Sequence, residues 1–160
     1  MIGWLAWFFL ALPLFMLDGW LAERVLPVPA MTFAVCLFLG SFARPSALPG
    51  LLVCAALARS VTVGGDVAVQ ALILGLPVAA LLPFRGVFYP RSLAWQAVAG
   101  GFLALGVPKI TALLGRFSEA VPTAEPVEWG QLLVAALAVP AATWLLRQVP
   151  PLRWFGEARE

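Results

Sequence analysis

VAVQALILGLPVAALLPF, residues 67–84, carries no charged side chain, and Gln70 and Pro77 interrupt its apolar run. LLVAALAVPAATWLL, residues 132–146, is built the same way. Runs of this kind fix the solvent. The whole chain of 160 residues is 62% hydrophobic and only 11% charged, with a mean hydropathy of +0.97. A soluble domain has about 25% charged residues, so this chain lacks the side chains to cover itself with a water-compatible surface. In lipid every backbone N–H and C=O must find a partner inside the protein, which leaves helices or a closed barrel. Barrel strands alternate apolar and polar residues, whereas these runs are apolar throughout. The expected fold is an all-α, polytopic transmembrane helical bundle.

A spanning helix takes about 20 mainly apolar residues, and the chain has room for six with short loops. The apolar segments place them near 2–20, 28–43, 47–63, 67–84, 92–117 and 131–146. Pro27 and Pro29 turn the chain into the second span, Arg44-Pro45-Ser46 leads to a short third span, and Gly64-Gly65-Asp66 makes the next turn. A basic connector, 85–91, precedes the fifth span, and a polar loop with Glu119, Glu125 and Glu128 precedes the sixth. One membrane domain is expected over 1–160. No Lys or Arg precedes the first apolar run and no small-residue cleavage site follows it, so the first helix is expected to be retained. With six spans both termini share a side. That side carries Arg44, Arg85, Arg91, Arg147, Arg153 and Arg159, against Arg24, Arg59, Lys109 and Arg116 opposite. The excess points to cytoplasmic termini. Trp20 and Trp129 on one side, and Tyr89 and Trp154 on the other, suit the aromatic belts of the two interfaces.

Function classes narrow by what the chain lacks. With no histidine, the commonest general base and metal ligand is missing. Cys36 and Cys54 lie within apolar runs, where cysteine acts as a small hydrophobe. No nucleophile–base pair, phosphate-cradling glycine loop or paired carboxylate stands out, and the Glu119–Glu125–Glu128 spacing fits no cation cage. No catalytic residue, cofactor or metal is expected, nor a nucleic-acid partner. The charged candidates for a partner or ligand contact are Asp18, Arg59, Asp66 and Lys109. Arg59 sits about 18 Å into the third span, where an arginine is unfavourable by about 2.5–3.5 kcal/mol, so it calls for an anionic partner or a route to the interface. Asp18 closes the first span, and Lys109 follows Pro108 near the end of the fifth. Candidate helix-packing positions are small residues four apart: Gly75 with Ala79, Ala97 with Gly101, Gly100 with Ala104, and Ala138 with Ala142.

The segment order from 46 to 100 resembles the MreD family of bacterial rod-shape membrane proteins. The likeness rests on the short third span SALPGLLVCAALAR (46–59), the Gly64-Gly65 turn, the apolar fourth span, the basic connector 85–91, and Ser92-Leu-Ala-Trp-Gln96 at the start of the fifth. Pro29 before the second span also fits. Family members often have an acidic residue near the end of the third span, where this chain has Ala58-Arg59. The resemblance implies a non-enzymatic, multi-pass inner-membrane component of the wall-elongation machinery. Its partners would be membrane lipids, a MreC-type periplasmic protein and other elongation components, engaged by helix docking. Two other readings stay open. One is the substrate-binding S component of an energy-coupling-factor vitamin importer, which needs polar groups converging on a cavity. The other is an accessory subunit of a larger membrane complex.

Overall fold

A computed structural model describes residues 2–24, 29–86, 92–115 and 129–149. Glu119, Glu125 and Glu128, Arg116, Tyr89, Arg91 and the tail with Arg153, Trp154 and Arg159 lie outside the described residues. The described chain forms six α-helices: α1 (Ile2–Arg24), α2 (Ala30–Ser41), α3 (Leu48–Val63), α4 (Val67–Leu81), α5 (Leu93–Gly115) and α6 (Trp129–Gln148). A short 3-10 helix, Leu82–Gly86, extends α4. No strand occurs among the described residues.

Four segments are long and apolar enough to cross a bilayer: Gly3–Leu21, Val67–Arg85, Leu93–Gly115 and Trp129–Gln148. Pro13, Pro77, Pro108 and Pro140 sit inside these helices, as membrane helices tolerate. α2 and α3 are shorter. α2 has 12 residues, so it is about 18 Å long and falls well short of a hydrocarbon core of about 30 Å. The apolar segment 28–43 looked longer because Phe42 and Ala43 are hydrophobic, yet they already belong to the turn. Both donate their backbone N–H to the Phe38 carbonyl.

α2 is nonetheless the centre of the molecule. It touches every other helix, while α1, α3, α4, α5 and α6 follow one another around it. Eleven of its residues, from Ala30 to Ser41 and excepting only Met31, are buried. A helix apolar on all sides belongs in a core, and α2 occupies it. The surrounding helices show the opposite of a soluble pattern. α1 turns Trp7, Ala11, Phe15 and Asp18 inward at helical spacing and leaves Leu5, Phe9 and Met16 exposed. α3 exposes Val53, Leu57 and Val61, and α6 exposes Leu133 and Leu137. An apolar perimeter of this extent is foreign to water-soluble monomers and is what a lipid-facing surface requires. The chain is a helical membrane protein.

Close helix contacts occur where a small residue meets a bulky one. The Trp4 ring lies against Gly50, within 2.7 Å of where a Cβ would stand. Next to it, Trp7 Nε1 donates to the Leu51 carbonyl at 3.0 Å. These contacts lock α1 on α3. Gly40 lets α2 approach Leu81 of α4, and Gly100 lets α5 approach Val139 and the Ala135 carbonyl of α6. The α3–α4 turn uses Gly64 and Gly65 at φ of +87° and +90°, a region where a Cβ is strained.

Candidate functional site

Both ends of α2 lie within the bundle, so its terminal N–H and C=O groups need partners other than water. Pro29 precedes the helix and has no side-chain cap to offer. Asp18 supplies one from α1. Its carboxylate accepts the Met31 N–H at 2.7 Å, the Thr32 N–H at 2.6 Å and the Thr32 hydroxyl at 2.7 Å. The side chain is only 6% exposed. Bonds to an ionised acceptor are short and strong, and the negative charge also complements the positive end of the helix dipole.

A second polar link adjoins the first. Arg59 on α3 donates from Nη1 to Gln70 Oε1 at 2.7 Å. Gln70, itself buried, passes the link on by donating from Nε2 to the Gly64 carbonyl at 2.8 Å. Ser60 Oγ donates to the Gly65 carbonyl at 2.6 Å. Arg59 lies within electrostatic reach of Asp18 and Cys36. The arginine thus finds its hydrogen-bond partner inside the protein, in a glutamine on the neighbouring helix. Its Nε is buried with no hydrogen-bond partner.

The other end of α2 is served by arginine. Arg85, on the 3-10 helix, donates from Nη2 to the carbonyls of Ala43 and Leu39. The Arg147 guanidinium lies 4.9 Å from the centre of the Phe42 ring, a cation–π arrangement. Cationic groups at a helix C-terminus complement its negative dipole end. Acid at the start and base at the end, both borrowed from other helices, complete the short central helix.

The four charged candidates therefore part company. The fold buries Asp18 at the start of α2 and sets Arg59 against Gln70, without a direct contact between the two charges. Asp66 is exposed and caps α4, accepting the Ala68 N–H at 2.9 Å. Lys109 is exposed on α5 and stands outside the cluster. The packing candidates divide as well. Gly100, Ala104 and Ala142 are buried, and Gly100 forms the α5–α6 contact. Ala97 and Ala138 are half-buried and Ala79 is exposed. At Gly75 and Gly101 a Cβ would meet nothing within 4 Å, so the fold places no close helix contact there.

Thr32, Gln70, Arg85 and Trp7 escaped notice as functional residues in the sequence. One signal is present for the N-terminal cap that involves Thr32. A short apolar run preceded by Pro27 and Pro29, with no Ser, Asp or Asn beside it, must be capped from elsewhere. Gly40 and Gly50 also carried a signal, since each lies four residues from a cysteine, Cys36 and Cys54, and cysteine is small. Among the described residues no three His, Cys, Asp or Glu side chains gather as a metal site would need. Comparison of the chain with protein-family models, curated proteins and solved structures returns no match.

Proposed function

We propose that this chain is a non-enzymatic, multi-pass component of the bacterial inner membrane, with cytoplasmic termini, that serves the cell-shape and peptidoglycan-elongation machinery by docking to partner membrane proteins. The sequence support is the MreD-like run from the short third span to the opening of the fifth. The observation that carries the docking reading is where the polar groups go. Asp18 spends its carboxylate on three internal donors, Arg59 is held by Gln70, and Asp66 caps its own helix. A solute binder needs such groups turned toward a shared cavity. Here they hold helix ends, and what the bundle offers outward is apolar helix surface. Association between membrane helices proceeds by close packing of such surfaces, and the cytoplasmic arginines would hold the protein at an anionic leaflet. The partners in this reading are a MreC-type periplasmic protein and other elongation components.

The test is co-purification from the native host in mild detergent, with the bound proteins identified by mass spectrometry. Recovery of wall-synthesis proteins is the expected result. Recovery of an ATPase coupling module instead would replace this reading with that of an importer's substrate-binding component.

A further inference from the structure

Lys109 is the one charged side chain of α5, a helix long and apolar enough to span the bilayer. It faces outward. Val98, Phe102, Leu105, Lys109 and Leu113 follow one another at helical spacing and form a single stripe, and all of them are exposed. The opposite face, with Gly100 and Leu103, is buried against the bundle. Leu113 prolongs the apolar surface a turn beyond Lys109, so the lysine stands within the span and not at its edge. Gly101 and Gly106 flank the stripe, and a Cβ on either would meet nothing within 4 Å.

An ammonium in hydrocarbon is unfavourable, and charged groups at membrane depth turn to the bundle interior or pair with one another. Lys109 does not turn inward. The carboxylates of Asp18 and Asp66 are committed elsewhere, to the N-termini of α2 and α4. The common escape for a lysine is to snorkel to the nearer interface. Here that interface lies toward the C-terminus of α5, whose last residue, Gly115, is about 9 Å further along the axis. Helix Cβ atoms tilt toward the N-terminus, and long side chains continue in that direction. The side chain of Lys109 therefore starts toward the middle of the bilayer, away from the surface it would have to reach. The stripe calls for a counter-charge brought by another molecule. A second copy docking by the same stripe would set lysine against lysine. A transmembrane helix with a carboxylate meets the need, since the ion pair fixes its depth and the two flanking glycines leave room for close approach.

We propose that the outward stripe of α5, centred on Lys109, docks a transmembrane helix of a partner protein that carries an aspartate or glutamate at the same depth, forming an ion pair within the membrane. The proposal rests on the docking reading above and adds to it a face and a partner chemistry. The test is photo-crosslinking in membranes of the native host, using the full chain with a benzophenone amino acid in place of Phe102 or, for comparison, of Val53, which is exposed on α3. Crosslinked peptides are identified by mass spectrometry. The expected product from position 102 is a membrane-spanning segment that contains Asp or Glu. Lys109→Leu should lower its yield about fivefold or more, and Lys109→Arg should retain it. Lys109→Glu should be rescued when the partner's acid is changed to lysine. Leucine suits a lipid-facing position, so thermal unfolding of Lys109→Leu should match wild type. Crosslinks from position 102 to lipid alone, to a second copy of this chain or to a segment without a carboxylate would overturn the proposal. So would a yield in Lys109→Leu within about twofold of wild type, or its loss in Lys109→Arg. Protein crosslinks from position 53 but none from 102 would leave the docking reading standing and remove this face from it. No protein crosslink from either position, with no partner recovered on co-purification, would sink both.

Discussion

Replacing Asp18 with alanine should be among the most damaging single changes available outside the hydrophobic core. The substitution leaves the Met31 and Thr32 N–H groups and the Thr32 hydroxyl without their acceptor. A buried donor stripped of its partner costs about 1–3 kcal/mol. Two amides and a hydroxyl, together with loss of the favourable charge at the helix N-terminus, put Asp18→Ala at about 3–6 kcal/mol. Asp18→Asn retains one acceptor oxygen but turns an amide NH2 toward the other donor, for an expected loss of about 1–3 kcal/mol. Reversible unfolding in mixed micelles of mild detergent and dodecyl sulfate, followed by tryptophan fluorescence and circular dichroism, measures both. Asp66→Ala is the control. It removes an exposed cap with one bond, worth about 1 kcal/mol. A double-mutant cycle with Thr32→Val isolates the hydroxyl contact. If Asp18→Ala unfolds within about 0.5 kcal/mol of wild type, the carboxylate is not what holds the N-terminus of α2.

Gly100→Leu drives a side chain into Val139 and the Ala135 carbonyl and should cost about 1–3 kcal/mol or more, whereas Gly101→Leu, with nothing within 4 Å, should stay within about 0.5 kcal/mol; thermal unfolding of the pair in one detergent decides it. Trp7→Phe keeps most of the buried ring but deletes the bond to the Leu51 carbonyl, for an expected loss of about 0.5–1.5 kcal/mol in the same unfolding titration. Arg85→Leu removes the donor at the α2 C-terminus, and hydrogen exchange should show faster opening of the last turn of α2 with little change at its first. Single cysteines at exposed Ser46 and Asp66 should label from opposite faces of the membrane in intact cells, Asp66→Cys from outside; labelling of both from one face would refute the alternating topology.

Much of the fold was legible because lipid imposes a coarse rule. Apolar runs such as 67–84 and 132–146 read directly as helices, and the glycine turn at 64–65 could be placed from residue type alone. α2 was harder. Its sequence, AMTFAVCLFLGS, looks like any apolar span, and nothing local says that its turn begins at Phe42 or that it sits at the centre. Central position follows from contacts on all sides, which no single segment encodes. The polar cluster was half visible. Arg59 announces a need for a partner, and Asp18 is available, but nothing in the sequence singles out Gln70, an interruption of an apolar run, as that partner. Its role depends on the α3–α4 turn folding Gly64 back within reach. Small-residue spacing proved a coarse guide for the same reason. Gly100 and Gly101 are adjacent and indistinguishable by pattern, yet a rotation of about 100° between successive helix positions points one at α6 and the other at open space.

The borrowed caps of α2 set an order of events during synthesis. Asp18 emerges from the ribosome before the helix it serves, whereas Arg85 emerges long after, with two further helices between. A nascent chain that has delivered only its first two hydrophobic segments to the translocon therefore holds a helix with one finished end and one open end. Bare carbonyls are costly in hydrocarbon, so that segment is expected to linger beside the insertion channel until the fourth helix arrives. Chains cut short before Arg85 would then be natural prey for membrane quality-control proteases, while those completed beyond it would pass.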